Sequence, residues 1–279
     1  MSEKNRTPRL SIPSWAATTG WLLLCLALAP HALGQEMRVE TVSYKNGDLE
    51  LRAFLYRPPG PGPYPAIVYN HGSEKNLAYI DRLAVPFVQQ GYVFFAPNRR
   101  GHGRSPGTYI LDVLGTLRGA EWSQALVRLH EEQLSDQLAG VAYLKNLPFV
   151  DSGRIGVYGW SFGGIQTLLA AERSESGYKA AVSCAGAAQT WPASPDLRTR
   201  LTEAAQKAAV PLFLLQAQND HSLAAIEGLS EVLRRNGKPH QARVYPAFGA
   251  TPQQGHEFCV QGSEIWGPEV FAFFAQHLR

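Results

Sequence analysis

One serine of this sequence stands among glycines, in Val157-Tyr158-Gly159-Trp160-Ser161-Phe162-Gly163-Gly164, directly after an apolar run. A serine hydroxyl attacks a carbonyl only when a base takes its proton, and an imidazole serves best when a carboxylate orients it. Two later positions could supply these groups. Asp220 closes Leu212-Phe213-Leu214-Leu215-Gln216-Ala217-Gln218-Asn219-Asp220, and His256 lies in Gln254-Gly255-His256-Glu257-Phe258. Attack would place negative charge on the carbonyl oxygen, which calls for preorganised N–H donors. The N–H of Phe162, next to the serine, is one candidate. The N–H of Ser73, in Asn70-His71-Gly72-Ser73-Glu74, is the other.

The remaining histidines fit the role of base less well. His31 is in the N-terminal apolar segment, His130 in a long connection and His277 in the last helical stretch. His221 adjoins the acid, and His240 opens a strand. His71 reads as a packing and hydrogen-bonding residue of a sharp turn. Asp196, an alternative acid, comes too early in the chain.

These side chains must be held by elements. The spacing G-x-S-x-G suits a strand that ends at the serine and a helix that starts after it, an elbow that pushes the hydroxyl outward. Side chains at positions 159 and 163 would collide where strand and helix converge, so glycine fits both. Short continuous apolar runs at 66–69, 92–96, 155–158, 180–183 and 212–215 read as strands covered on both faces. Helical stretches fall between them at 134–144, 164–172 and 222–235, with a strand at 243–245 and a closing helix at 264–278. Strand-helix alternation implies right-handed crossovers and a mostly parallel sheet. Ahead of it, 39–44 and 49–56 alternate like strands, with Asn46-Gly47 as the hairpin turn. Two connections, 105–130 and 187–208, are longer than needed and are expected to form short cap-like insertions. Tyr109, Leu111, Leu114, Trp122 and Trp191 would line a largely apolar pocket there.

Together these pieces resemble the α/β-hydrolases, in particular the dienelactone hydrolase-like and prolyl oligopeptidase-like branch. The resemblance rests on Asn70-His71-Gly72, Arg99-Arg100-Gly101-His102-Gly103-Arg104-Ser105, residues 151–164, Asn219-Asp220 and Gly255-His256. It implies an α/β-hydrolase fold: an eight-stranded, mostly parallel twisted sheet with an N-terminal antiparallel hairpin and helices on both faces. It implies Ser161 as nucleophile, Asp220 as acid and His256 as base, with no metal and no organic cofactor. The chain also departs from its models. Dienelactone hydrolases proper carry cysteine where Ser161 stands, and prolyl oligopeptidases carry a propeller in front of the hydrolase. Gln216-Ala217 replaces the glycine usual before the acid-bearing turn.

The expected activity is cleavage of a small-molecule carboxylic ester through an acyl-enzyme. A peptidase or amidase with the same residues is the second reading, and a non-catalytic hydrolase-fold binding protein the third. Basic residues are spread along the chain, which argues against a nucleic-acid partner. Lys4, Arg6 and Arg9, an apolar run over 21–29 and Ala32-Leu33-Gly34 make residues 1–34 an expected signal peptide. The run falls short of the roughly 20 residues that span a bilayer. An exported protein with no stable membrane anchor is therefore expected, its hydrolase domain covering 35–279. The mature chain would keep Cys184 and Cys259, which could pair in an oxidising compartment or remain two buried thiols. The oligomeric state stays open.

Overall fold

The computed structural model describes residues 37–278; the expected signal segment, 1–34, lies outside them. Strands β1 (Arg38–Asn46) and β2 (Leu49–Arg57) form the antiparallel hairpin. Asn46 pairs with Leu49, and Gly47 takes a left-handed conformation in the two-residue turn. β3 (Tyr64–Asn70), β4 (Val93–Asn98), β5 (Val150–Trp160), β6 (Tyr178–Cys184), β7 (Leu212–Ala217) and β8 (His240–Tyr245) complete one eight-stranded sheet. Its order is β1-β2-β4-β3-β5-β6-β7-β8. β2 joins β4 antiparallel, and every pairing from β4 to β8 is parallel.

The central strands read as unbroken apolar runs because helices cover both faces. On one face lie α1 (Ile80–Gln89), α7 (Pro252–Gln261) and α8 (Ser263–His277). Tyr69, Phe87, Phe94, Tyr158, Trp160, Phe258, Trp266 and Phe274 make that core aromatic. On the other lie α2 (Ile110–Leu114), α3 (Gly119–Lys145), α4 (Phe162–Ala171), α5 (Pro195–Lys207) and α6 (Ala224–Arg235), over a mainly aliphatic core.

The two long connections are more regular than expected. Most of 105–130 is α2 and the first turns of α3, a single helix of 27 residues. Its beginning escapes an apolar-periodicity reading because Ser123, His130, Gln133, Asp136 and Gln137 sit on its buried side. Within 187–208, the Ser194 side chain caps α5 by accepting from the Leu197 N–H. Leu197, Leu201, Ala204 and Ala205 of that helix enter the aliphatic core. The two cysteines form a disulfide between the end of β6 and the last turn of α7.

Candidate active site

Ser161 sits at the carboxyl end of β5, between that strand and α4. Its backbone is at φ 57° and ψ −119°, a region that L-residues seldom occupy and that persists only where the surroundings enforce it. Here they do so closely. A Cβ on Gly159 would run into the backbone of Gly163, and one on Gly163 would run into the carbonyls of Asn70 and His71. Strand, helix and the loop after β3 are thus in backbone contact. The Ser161 N–H donates to the Cys184 carbonyl at 3.0 Å, which ties the elbow to β6.

His256 approaches from the opposite side of the cleft. The sequence suggested a glycine-containing loop for it, but the structure places it on α7. Thr251 and Gln254 form a capping box and Pro252 opens the first turn, so the start signal outweighs Gly255. Several ties fix the height of α7. Trp160 Nε1 donates to the His256 carbonyl at 2.9 Å, and the Tyr158 hydroxyl donates to the Cys259 carbonyl at 2.7 Å. The Cys184–Cys259 bond adds a covalent one.

Asp220 follows β7 in a tight turn. Its Oδ1 accepts from His256 Nδ1 at 2.9 Å and from the His221 N–H at 2.6 Å. Neighbouring Asn219 accepts from the Phe248 N–H and donates to the carbonyls of Phe248 and Thr251, so the acid's turn also holds the approach to α7. With Nδ1–H directed at the carboxylate, Nε2 is the acceptor of the imidazole, and it lies 2.9 Å from the Ser161 hydroxyl. His256 and Asp220 are 3% and 7% exposed, so bulk water competes little for this relay. The structure therefore brings together the three side chains singled out in the sequence. The arrangement can draw a proton off the serine and hold it on the imidazole.

The N–H groups of Ser73 and Phe162 have no partner among the described residues, and Phe162 opens α4, where helix polarity favours an anion. Around Ser73 the loop is heavily bonded. The Tyr109 hydroxyl donates to the Ser73 carbonyl at 2.5 Å, and the Gly72 N–H meets the Tyr79 hydroxyl at 3.4 Å. Arg99, named in the sequence only among the residues that carry the family resemblance, is completely buried behind this loop. A doubled arginine after a strand carries no sign of which member turns inward. Here Arg100 pairs with Asp136 of α3 at 2.7 Å, and Arg99 goes into the core.

Burial, reinforced by Arg99, drives the pKa of His71 well below that of a free imidazole. The same two causes bring His102 and His130 down to about 3. All three are neutral near pH 7, in keeping with hydrogen-bonding roles. Burial has the opposite effect on the Glu74 carboxyl and raises its pKa.

The proposed pocket residues separate. Trp122 lines an open cleft of about 300 Å³ with Leu117, Arg118, Gly119 and Ala193. Tyr109, at the head of α2, reaches the loop of Ser73 through its hydroxyl. Trp191 instead packs its ring on α6 at Gly228. Among the described residues, no group of three or more His, Cys, Asp or Glu side chains could hold a metal ion.

With this geometry in view, the family model described as "Dienelactone hydrolase family" matches residues 51–270. The chain belongs to the dienelactone hydrolase family. The match runs from β2 into α8 and takes in every element that bears on the site. A Bacillus subtilis relative, the uncharacterized peptidase YtmA, is 25% identical over 242 residues, which is 77% of this chain and 86% of that protein. Among solved structures, the Pyrococcus horikoshii acylaminoacyl peptidase superposes with a TM-score of 0.66 at 22% identity, over 88% of this chain and 42% of that one. An esterase of Pyrococcus furiosus gives 0.65 at 17% identity, over 87% of this chain and 92% of the esterase. This family member thus spans under half the length of the acylaminoacyl peptidase and nearly all of the esterase. The protein is an α/β-hydrolase, related to both esterases and peptidases of the prolyl oligopeptidase type.

Proposed function

We propose that this protein is a serine hydrolase that cleaves carboxylic esters of small molecules through an acyl-enzyme. The observation that carries the reading is the relay of Ser161 Oγ, His256 Nε2 and Asp220 Oδ1, with 2.9 Å at each step. In the first half-reaction His256 Nε2 takes the Ser161 proton as Oγ bonds to the ester carbon. The carbonyl π pair moves onto oxygen, where the N–H groups of Phe162 and Ser73 meet it. As that pair returns, the bond to the alcohol oxygen breaks and the alkoxide takes the proton from His256. Water then repeats the sequence on the acyl-enzyme, His256 again serving as base, and releases the carboxylic acid with Ser161 restored. Asp220 holds the imidazole tautomer throughout. Tyr109 and the cleft at Trp122 are the proposed walls for the acyl group.

A peptidase or amidase is the second reading, favoured by the likeness to YtmA over 86% of that protein. Export is part of the proposal. The Cys184–Cys259 bond supports it, since structural disulfides persist in oxidising compartments. A fluorophosphonate probe should label the wild type and fail on Ser161→Ala, and p-nitrophenyl acetate turnover should fall by about 10⁴-fold or more in Ser161→Ala and in His256→Ala. Turnover that survives Ser161→Ala rejects the reading. Matched p-nitrophenyl esters and p-nitroanilides of one acyl group decide between ester and amide.

A further inference from the structure

Arg99 is a buried cation that makes no ion pair among the described residues, a costly arrangement that the fold must offset through hydrogen bonds. Burial lowers its pKa to about 10, which leaves it charged at neutral pH. Both ends of its guanidinium fork point at one stretch of backbone, and its third partnered donor ties it to α3. Nη1 donates to the His71 carbonyl at 2.8 Å and Nη2 to the Gly72 carbonyl at 2.8 Å, while Nε donates to Gln133 Oε1 of α3 at 2.9 Å. His71 works with it. Its Nδ1 donates to the same Gly72 carbonyl at 2.9 Å, and its Nε2 accepts from the Arg99 backbone N–H at 3.3 Å.

In a trans peptide the carbonyl and the following N–H point in opposite directions. Two consecutive carbonyls drawn toward Arg99 therefore send the N–H groups of Gly72 and Ser73 the other way. The Gly72 N–H meets Tyr79, and the Ser73 N–H has no partner among the described residues. Gly72 also makes rotation of the 72–73 peptide easy, since it has no Cβ to resist it. A rotated peptide would present a carbonyl oxygen where a donor is needed. We propose that Arg99 is a positioning residue that locks the 71–73 backbone in the orientation where the Ser73 N–H meets the oxyanion formed at Ser161. This rests on the reading of the site given above. The clamp also polarises the 72–73 peptide, which strengthens its N–H as a donor. Lysine would not replace it, because a point charge lacks the planar fork that spans two carbonyls.

The test uses the full chain carrying Arg99→Met, Arg99→Lys and Gln133→Leu, with p-nitrophenyl acetate as substrate. A trifluoromethyl ketone and its matching methyl ketone serve as inhibitors, since the first forms a tetrahedral adduct readily and the second poorly. Arg99→Met should lower kcat by about 100-fold with KM within about threefold, the signature of a lost oxyanion donor. The preference for the trifluoromethyl ketone should fall in proportion. Arg99→Lys should recover less than about tenfold of that loss, and Gln133→Leu should lose about tenfold. A folded Arg99 variant with kcat within about threefold of wild type, or with the ketone preference intact, overturns the proposal. If neither Arg99 variant folds, the ketone preference of Gln133→Leu decides by the same rule. Failure of the underlying reading looks different: turnover would then survive Ser161→Ala in the otherwise native chain.

Discussion

The two faces of the sheet hold the two halves of the site by different physics. On the α1/α7/α8 face, His256 rides on a helix fixed by a disulfide, by hydrogen bonds from Trp160 and Tyr158, and by packed aromatic rings. On the α3 face, the loop of Ser73 leans on a buried polar cluster of Arg99, His71 and Gln133, with His102 and His130 close by. The first is a covalent and apolar brace, indifferent to moderate changes of pH. The second is a set of hydrogen bonds whose protonation states must stay fixed. A reductant should therefore loosen the side that carries His256 and acid the side that carries Ser73, while Ser161 stands on the seam between them.

The largest effect is expected from the brace. The disulfide links residues 75 apart in sequence, and chain-entropy accounting gives about 4.5 kcal/mol for such a closure. Cys184→Ala/Cys259→Ala, or reduction with dithiothreitol, should lower unfolding free energy by about 2–5 kcal/mol in urea titrations. Hydrogen exchange localises the change. Amides of α7 should exchange faster while those of the 130–140 stretch of α3 keep their protection. Equal loosening on both faces would remove the contrast.

At the seam, Gly163→Ala sets the elbow against the β3 loop, since the new Cβ meets the carbonyls of Asn70 and His71. Backbone cannot yield as a side chain does, so a loss of about 3 kcal/mol is expected, together with loss of fluorophosphonate labelling. Normal labelling in this variant would mean that the seam is looser than the contact implies.

The polar side answers to pH. A free imidazole titrates near 6.5, whereas His102 and His130 are held down to about 3 and His71 lies well below its free value. Below pH 6.5 the unfolded chain takes up protons that the folded chain refuses, so stability is complete above that value and declines as pH falls. Each such histidine removes about 1.4 kcal/mol per pH unit. His102→Asn should flatten the curve by about 1 kcal/mol between pH 6.5 and 5.5, where the unfolded imidazole is still filling, whatever its effect at pH 7.5. An unchanged slope would show that the imidazole charges within the fold.

This contrast also marks what the sequence could and could not disclose. Ser161 and Asp220 were legible because each follows an apolar run whose β character is plain, whereas His256 stood out only by its place after the last, mostly exposed strand; chain order and the family resemblance suggested the roles. The sheet was legible for the same reason. Arg99 was not, because its function lies in donors aimed at two backbone carbonyls, and no pattern of residue types encodes aim. The start of α3 was hidden by the same cluster, whose members occupy positions that apolar periodicity would reserve for leucine. The cysteine pairing was left open, since 75 residues of separation say nothing of proximity. The structure brings His256 to Ser161 and Asp220, but from a helix and not from a loop, because Gly255 was weighed above the Thr251 and Pro252 start signal.

That start signal yields the smallest predicted effect and bears on the brace alone. Thr251 Oγ1 accepts from the Gln254 N–H at 3.2 Å, and Gln254 Oε1 accepts from the Thr251 N–H at 3.1 Å, so two donors at the head of α7 are satisfied reciprocally. Gln254 also takes the Ala250 N–H at 2.7 Å, which draws the incoming loop into the cap. Removing such a cap costs about 1 kcal/mol, and Thr251→Ala should lose that much in urea unfolding. The consequence for turnover depends on what holds His256. If the disulfide and the Trp160 bond dominate, the helix frays at its first turn, His256 stays in place and kcat changes less than about twofold. In the disulfide-free background the same substitution removes one of the few remaining ties, and its effect on kcat should exceed the effect in the oxidised protein. A double-mutant cycle on kcat measures the difference directly. Coupling between cap and disulfide is expected, and strict additivity would mean that α7 is fixed by its packing against the sheet and not by the covalent brace.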